Sequence, residues 1–444
     1  MERDIMARLA AWKDSTGRKP LVLTGPRQAG KTWVLKEFGR RKYDRLAYFN
    51  FETDPGLGEL FDATRQPERL IRQLELIGGQ PLTPGDTLIV FDEVQASASA
   101  LASLKYFREV APAQHVAAAG SLLGVALARE ASFPVGQVTS MRLGPMTFAE
   151  FLRATGEAGL ADYLAETAEL APIPSAFAAT LTQALKSYFV TGGMPEPVAR
   201  WAANHDVAEV EAVLGELIGN YEADFAKHME PKDFPKARLV WQSLPSQLGR
   251  ANAKFLYQTV KPGARAREYE DSIQWLADAG LVIRVNRAKR PGLPLSAYDD
   301  LSAFKLFALD VGVLRRLGRL PASAFTEGSR LFAEFRGALT ENYVLQALIP
   351  QLDATPRYWS WPSPPQEVDF VVQLGADIVP VEAKAGENLG SRSLRYYAAK
   401  YPEATPLRVR FSLAGLRLDG AVLNIPLYLA DQAARLIGLA LAGT

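Results

Sequence analysis

The sequence predicts an α/β protein of several domains, the first of which is built on a mainly parallel sheet. Three observations support this prediction. The chain has 444 residues, whereas a single domain usually has about 100 to 200. Its first third alternates five short apolar runs with helical patterns, which is typical of a parallel sheet. Farther along, the charge changes sign between neighbouring segments, which indicates separate structural units.

The composition is that of a packed globular protein, and it excludes several kinds of site. Hydrophobic residues make up 48% of the chain and charged residues 22%, so the chain is not an extended polyelectrolyte. The absence of cysteine excludes disulfides, thiolate metal sites and a cysteine nucleophile. The three histidines, His115, His205 and His228, are too scattered for a histidine metal site. Any metal is therefore expected on oxygen ligands, which Mg²⁺ prefers.

The sequence contains no segment that predicts contact with a membrane. The N-terminal residues lack the apolar core of a signal peptide. No run of about 18 apolar residues occurs, and the stretch 433–442, which Arg435 interrupts, is predicted to be a terminal packing helix. We therefore expect a cytoplasmic protein.

The first motif is a glycine-rich loop between a predicted buried strand, residues 19–24, and a helix. It has the complete G-x-x-x-x-G-K-[ST] pattern of a P-loop. Glycines let successive backbone N–H groups face phosphate oxygens, and the next helix adds its positive N-terminus. Lys31 is expected to neutralise the β- and γ-phosphates, and the Thr32 hydroxyl to bind Mg²⁺. The predicted nucleotide-binding residues are Gly25, Pro26, Arg27, Gln28, Ala29, Gly30, Lys31, Thr32 and Trp33.

Polar residues follow two other predicted strands of this region. Asp92 and Glu93 follow the strand 87–91, and in a P-loop fold such residues lie beside the phosphates. We expect Asp92 to hold Mg²⁺ through water and Glu93 to act as the base for the attacking water. Ser121 follows the strand 115–119, where it either senses the γ-phosphate or the attacking water, or caps the strand. No N-K-x-D guanine motif is present, so ATP is favoured as the nucleotide.

The middle of the chain contains two segments of opposite charge. Residues 145–230 include 13 acidic and 4 basic residues, a net charge of −9, and their pattern predicts a helical lid or spacer. Within it, YFVTGGMPEP is predicted to be a fixed bend between helices. Residues 232–290 include 12 basic and 5 acidic residues, a net charge of +7. The formal charge of +1 for the whole chain is therefore a cancellation.

The basic segment predicts a winged helix. Three helical patterns precede a strand and a basic loop, at residues 237–244, 254–260, 265–279, 281–285 and 287–292. Pro245 is expected to end the first helix. The third helix of a winged helix commonly enters the major groove of DNA. The residues expected to contact DNA are Arg265, Arg267, Tyr269, Arg287, Lys289 and Arg290. The alternative is an interdomain module whose basic face pairs with the acidic segment.

The last part of the chain predicts a nuclease-like α/β domain. A helix and three strands are predicted at residues 334–348, 357–361, 367–372 and 378–383. Asp369 interrupts an apolar strand, and Glu382 and Lys384 share one face of the next. This order matches the PD-(D/E)xK nuclease pattern, in which Asp369 and Glu382 would hold Mg²⁺ and Lys384 would orient the attacking water. Glu341 matches the extra acid of that fold. The alternative is an inactive fold whose acids pair with Lys384.

Several of these motifs also carry a family resemblance. TGPRQAGKT, LIVFDEVQ, AAGSLLG, SFPVGQVTSMRLGPMTFAEFL and YFVTGGMPEPV resemble the AAA-type ATPases of bacteria and archaea that carry a C-terminal restriction-endonuclease-like domain of unknown function. The resemblance covers nearly the whole chain. That family often has Arg where this chain has Gln137. Arg108 and Arg142 are candidates for a trans or sensor arginine. The alternative for each is a solvated structural arginine.

Together these observations predict four domains and a function. The domains are an ATPase domain at 1–152, an acidic lid at 153–231, a winged helix at 232–320 and a nuclease-like domain at 321–444. The predicted function is magnesium-dependent ATP hydrolysis coupled to the last two domains, acting on DNA. The alternative is an ATP-gated interaction or regulatory protein with an inactive nuclease fold. The sequence leaves homo-oligomerisation open.

Overall fold

The computed structural model describes residues 1–121, 136–250, 254–326, 333–386 and 390–443. By its internal contacts the chain forms two compact units. The N-terminal unit comprises residues 2–144 and 275–281, and the C-terminal unit comprises 145–274 and 282–444 together with Met1. The parts of the family motifs that fall within 122–135 lie outside the described residues. The division into four domains stays a prediction.

The N-terminal unit is built on a five-stranded sheet with the order β2-β3-β4-β1-β5. All of its strand pairs are parallel, so the parallel sheet predicted from the sequence is confirmed. Its strands are β1 (Leu21–Thr24), β2 (Arg45–Asn50), β3 (Thr87–Asp92), β4 (His115–Ala119) and β5 (Thr139–Arg142). Its helices are α1 (Ile5–Asp14), α2 (Lys31–Lys42), α3 (Pro55–Ala63), α4 (Pro67–Gly78) and α5 (Ala98–Val110).

Helices cover both faces of this sheet, which explains why its central strands are apolar without alternation. Ile89 and Phe91 belong to one apolar cluster, whereas Leu88 and Val90 belong to another. Because successive side chains of a strand point to opposite faces, these clusters lie on the two sides of the sheet. The buried strands thereby fix the carboxyl edge of the sheet, where the polar residues that follow β1, β3 and β4 are brought together.

The C-terminal unit combines helices with a mixed sheet of eight strands. Its first helices along the chain are α6 (Phe148–Ala154), α7 (Ala158–Glu166), α8 (Ser175–Thr191), α9 (Pro195–Asn204), α10 (Val207–His228) and α11 (Phe234–Leu248). They are followed by α12 (Tyr257–Val260), α13 (Ala266–Asp278), α14 (Val311–Leu317), α15 (Ser323–Thr326), α16 (Ala333–Leu348), α17 (Arg392–Lys400) and α18 (Ala433–Ala442). The last four residues of α13 belong to the N-terminal unit.

The eight-stranded sheet has the order β12-β13-β11-β10-β9-β8-β6-β7. Its strands are β6 (Val282–Ala288), β7 (Asp299–Ala308), β8 (Arg357–Pro362), β9 (Pro365–Leu374), β10 (Asp377–Ala383), β11 (Arg408–Ser412), β12 (Arg417–Asp419) and β13 (Val422–Pro426). The antiparallel pair β6–β7 joins the rest through one parallel pairing, Arg287 with Tyr358. The predicted wing is therefore part of the same sheet as the predicted nuclease-like strands.

Several boundaries differ from the sequence prediction; the helix expected at 254–260, for example, spans only Tyr257–Val260. Pro245 does not end its helix, because α11 continues to Leu248 and the buried side chains of Trp241, Leu244 and Leu248 hold it against the core. A proline removes one backbone hydrogen bond, and apolar burial on this scale offsets that loss. The loop expected to start at Arg287 begins later, since β6 extends to Ala288.

The predicted bend at YFVTGG is held by a buried aspartate. Gly192 ends α8 with a φ of 69°, and a Cβ at this position would lie 2.0 Å from Oδ1 of Asp310. Asp310 Oδ2 accepts a hydrogen bond from the backbone N–H of Gly193 at 2.6 Å, and Oδ1 accepts one from Val313 at 3.0 Å. The bend and the start of α14 are therefore fixed together. No helix in the described part of the chain is both long enough and apolar enough to cross a membrane.

Candidate nucleotide site and C-terminal acidic cluster

The predicted phosphate loop joins β1 to α2 at the carboxyl edge of the parallel sheet. Three of its residues have positive φ: Gly25 (149°), Gln28 (61°) and Gly30 (91°). A Cβ on Gly25 would lie 2.1 Å from the carbonyl oxygen of Leu143, so only glycine fits beside that backbone. Alternating backbone conformations of this kind form concave anion sites. Trp33, in the first turn of α2, is 42% exposed.

Lys31 folds back onto the loop that precedes it. Its Nζ donates to the carbonyl oxygens of Gly25 at 2.9 Å and Pro26 at 2.8 Å. Burial lowers the pKa of Lys31 to about 8, although the carboxylates of Glu93 and Asp92 oppose this shift. The loop thus encloses a single ammonium group next to backbone of anion-binding shape.

Asp92, at the end of β3, connects the loop to the neighbouring strand. Its Oδ2 accepts hydrogen bonds from the Thr32 hydroxyl at 2.7 Å and from the Tyr48 hydroxyl at 2.7 Å. Burial, and also the Asp92 carboxylate, raise the pKa of Tyr48 to about 12, so its hydroxyl keeps the proton that it donates. Thr32 and Asp92 therefore meet as two oxygen donors, the kind that Mg²⁺ prefers. Tyr48 was not predicted from the sequence. It lies on β2, which pairs with β3 so that Asn50, two residues after Tyr48, is opposite Asp92.

Glu93 is held by two other polar residues. Its Oε1 accepts a hydrogen bond from the Ser121 hydroxyl at 3.0 Å, and its Oε2 accepts one from Nε2 of Gln95 at 2.6 Å. Glu93 itself has a φ of 49°, an uncommon backbone conformation that occurs often at functional sites. The structure thus brings Ser121 to the acid that follows β3. Gln95 was not identified from the sequence.

Arg3 is a second residue that sequence reasoning missed. Its side chain is buried and donates from Nη1 to the carbonyl oxygen of Ala29 at 2.9 Å, and from Nη2 to that of Gly144 at 2.7 Å. The guanidinium therefore ties the phosphate loop to the segment that follows β5. No local motif marks Arg3, because both partners are distant in sequence.

The other candidate side chains of this unit fall at different places. Arg142 ends β5, is exposed, and is in register with Thr24 at the start of the phosphate loop. Arg108 lies in the last turn of α5, which has 13 residues. Because such a helix is about 20 Å long, Arg108 is far from the N-terminal end of α5, the end nearer to Glu93 in the sequence. Gln137 precedes β5 and lies at the amino edge of the sheet, opposite the phosphate loop.

The side chains expected to contact DNA differ in their exposure and in their contacts within the protein. Arg265, Arg267, Lys289 and Arg290 are exposed. Arg287 instead forms an ion pair with Asp300 on β7, and the Arg290 guanidinium lies 4.2 Å from the ring centre of Tyr298. Tyr269 is only 5% exposed, so the expectation that it contacts DNA is not supported.

The four residues of the nuclease-like pattern lie on α16, β9 and the end of β10. β9 and β10 pair as far as Phe370 with Val381, and Asp369 and Glu382 are the next residues along the two strands. Asp369 Oδ2 accepts a hydrogen bond from the backbone N–H of Ala383 at 2.8 Å. Lys384 Nζ lies 2.5 Å from Oε1 of Glu382. Each predicted ligand carboxylate is therefore already bonded to a protein group.

Lys305 of β7 also reaches this region, which the sequence did not reveal. Its Nζ lies 3.3 Å from Oε2 of Glu341 and 2.6 Å from Oε1 of Glu367. We call Glu341, Glu367 and Asp369 the acidic cluster. Among the residues that the structure describes, no group of three or more His, Cys, Asp or Glu side chains is arranged to hold a metal ion.

Three family models match parts of the chain. Residues 17–152 match an AAA domain, residues 182–324 match a domain of unknown function, DUF8612, and residues 336–428 match another, DUF4143. The AAA match covers the five-stranded sheet and the phosphate loop, so this region is a P-loop ATPase domain of the AAA type. No match was found among curated proteins.

Three solved structures with distant similarity to the chain have the following TM-scores, identities and coverages. The Walker-type ATPase PABY2304 of Pyrococcus abyssi has a TM-score of 0.44 and 14% identity, with 71% of this chain and 95% of that one covered. The ORC1 protein of Aeropyrum pernix in complex with DNA has a TM-score of 0.30 and 13% identity, with 73% and 94% covered. Cdc6p of Pyrobaculum aerophilum has a TM-score of 0.24 and 13% identity, with 72% and 92% covered.

Proposed function

We propose that the N-terminal unit binds ATP with Mg²⁺ and hydrolyses it. The observation that carries this proposal is the meeting of Thr32, Asp92, Glu93 and Ser121 at the end of the phosphate loop. Thr32 and Asp92 supply two oxygen atoms suited to bind Mg²⁺, and Glu93 supplies a carboxylate suited to act as a base. The match of residues 17–152 to an AAA domain supports the same function.

Binding of the triphosphate is assigned to the loop and to Lys31. Backbone N–H groups of residues 25–30 and the N-terminus of α2 would receive phosphate oxygens. Lys31 would exchange its bonds to the carbonyl oxygens of Gly25 and Pro26 for bonds to the β- and γ-phosphates. Thr32 and Asp92 would hold Mg²⁺, which neutralises charge on the phosphates when bound.

Hydrolysis is assigned to Glu93 and Ser121. Glu93 would accept a proton from the water that attacks the γ-phosphate. Ser121 and Gln95 each donate to one Glu93 oxygen, so they hold this carboxylate in a defined orientation. Ser121 is also placed to donate to the water or to a γ-phosphate oxygen once Glu93 turns towards the substrate.

Phosphate release and ATP affinity, measured on three variants, test this proposal. Lys31→Ala should abolish ATP binding, since the enclosed ammonium is lost. Glu93→Gln should keep ATP affinity and lower kcat by at least about 100-fold, the range of general-base catalysis. Lys42→Ala, which removes an exposed lysine from the other end of α2, is the matched control and should change neither quantity. Unchanged ATP affinity in Lys31→Ala would contradict the assignment of the loop.

We further propose that nucleotide binding controls DNA binding through α13. Residues 275–281 belong to the N-terminal unit, and a Cβ on Gly280 would lie 3.4 Å from the backbone nitrogen of Pro26 in the phosphate loop. The same helix begins with the exposed Arg265 and Arg267 just before and within its first turn. Three helices followed by the hairpin β6–β7 support a winged helix, whose third helix would be α13.

For the nuclease-like region, the contacts of Lys305 favour the second candidate function, an ATP-gated interaction protein whose nuclease fold is inactive. In that case plasmid and single-stranded DNA remain intact with Mg²⁺, and Asp369→Ala and Lys384→Ala give the same products as wild type. Cleavage by wild type that both variants lose would instead establish a metal-dependent nuclease.

A further inference from the structure

The acidic cluster brings three partly buried carboxyl groups together in the C-terminal unit. Glu367 and Asp369 are two residues apart on β9 and so share one face of the sheet, while Glu341 comes from α16. Burial, and the Glu341 carboxylate, raise the pKa of Asp369 well above its usual value. Burial, opposed by the Lys305 ammonium, likewise raises the pKa of Glu341. Carboxyl groups placed in this way are stabilised either by protonation or by a nearby cation.

Lys305 supplies a cation from a third element. It lies in β7 between the buried residues Phe304 and Leu306, and its own side chain is 0% exposed. Burial opposes its charge, but Glu341, Glu367 and Asp369 together raise the pKa of Lys305 above its usual value. A fully buried lysine would normally lose its proton. Here the surrounding carboxylates keep it charged.

Asp369 and Glu382 are each also bound to a protein group through one carboxylate oxygen. Asp369 Oδ2 accepts from the backbone N–H of Ala383, and Glu382 Oε1 pairs with Lys384. Glu382 Oε2 is buried, and no hydrogen-bond donor from the described residues reaches it.

We propose that the Lys305 ammonium is the resident cation of the acidic cluster, and that the cluster becomes a divalent-cation site only when Lys305 is removed. Its contacts to Glu341 and Glu367 then also join the hairpin β6–β7 to α16 and β9. This links the region that matches one domain of unknown function to the region that matches the other. The proposal concerns the C-terminal unit alone and stands whether or not the N-terminal unit hydrolyses ATP.

Mn²⁺ binding to the full chain tests the proposal without nucleotide. Isothermal titration is performed in an Asp92→Asn background, so that the nucleotide site contributes no metal binding. Lys305→Met keeps the length and apolar stem of the side chain while removing its charge. We expect this variant to bind one Mn²⁺ at least tenfold more tightly than its parent, and to lose that site when Asp369→Asn is added. Lys289→Met, at an exposed lysine, is the matched control and should behave like the parent.

Two results would overturn the proposal. One is Mn²⁺ binding by the parent that disappears with Asp369→Asn, which would make the metal resident. The other is a folded Lys305→Met variant that binds no more Mn²⁺ than its parent. If Lys305→Met fails to fold, the parent and its Asp369→Asn variant decide: identical Mn²⁺ isotherms support the resident ammonium, and weaker binding by the variant refutes it.

Discussion

Lys31 provides the charge of the phosphate loop, and its protonation sets an upper pH limit for ATP binding. Burial lowers the pKa of Lys31 to about 8 in the nucleotide-free protein. The ammonium is therefore present below this pH and is lost as the pH rises through it. Above pH 8, ATP affinity should fall by up to about tenfold per pH unit, because binding must first restore one proton.

ATP affinity, measured from about pH 6.5 to about pH 9.5 so that the series spans the pKa of Lys31, checks this expectation. Lys31→Arg serves as the control, since a guanidinium keeps its proton over this range. Its affinity, even if weaker, should vary less with pH. An equally steep profile in both proteins would assign the titration to another group.

The residues of the nucleotide site divide by whether their partners are local. Lys31 and Thr32 were predictable because the loop and the start of α2 fix their positions within a few residues. Tyr48 and Arg3 were not, because they meet Asp92 and Ala29 across 44 and 26 residues. Lys305 was missed for the same reason. The apolar residues on either side of it in β7 give no sign that carboxylates distant in sequence stabilise the charge of Lys305.

At the scale of elements, the turn between α8 and α9 depends on glycine. A Cβ on Gly192 would lie 2.0 Å from Asp310 Oδ1, and the φ of 69° is itself unfavourable for other residues. We expect Gly192→Ala to lower the free energy of unfolding by at least about 2 kcal/mol, through steric overlap and backbone strain. Chemical denaturation followed by circular dichroism measures the change.

Gly219 in the interior of α10 is the matched control for this substitution. Nothing lies within 4 Å of a Cβ at this position, so Gly219→Ala meets no steric overlap. Alanine favours a helix over glycine by about 1 kcal/mol, so the control should be neutral or stabilising. Equal destabilisation by both substitutions would remove the special role of the Gly192 bend.

Most helices and strands were predictable because the local pattern of apolar residues indicates which of them are buried. The pairing of the strands with one another was not predictable. The apolar run 115–119 became β4 as expected, between β3 and β1. The strand predicted at 281–285 became the longer β6, which pairs with β7 and β8 instead of forming a separate wing. Pairing partners depend on contacts between residues far apart in sequence, and periodicity does not record them.

For the whole molecule, the near-zero net charge conceals how few cations are available to DNA. Arg238 pairs with Glu222 at 2.9 Å and Arg284 with Glu270 at 2.9 Å, so part of the basic segment is neutralised within the protein. The exposed cations of the predicted contact set are Arg265, Arg267, Lys289 and Arg290. If each meets one phosphate, log K should fall with log salt concentration with a slope of about −3.6.

Fluorescence anisotropy with duplex DNA, at several salt concentrations and with or without ATP, measures this slope. Replacing Arg265 and Arg267 by Ala should bring it to about −1.8 and weaken binding uniformly across sequences, because phosphate contacts do not read bases. Replacing Arg65 and Arg69, two exposed arginines of the N-terminal unit, removes the same charge elsewhere and should leave the slope unchanged. Because α13 runs on into the segment beside Pro26, ATP should change the affinity of wild type. An affinity that is independent of both ATP and Arg265 would refute the proposed coupling and leave the basic segment as an interdomain surface.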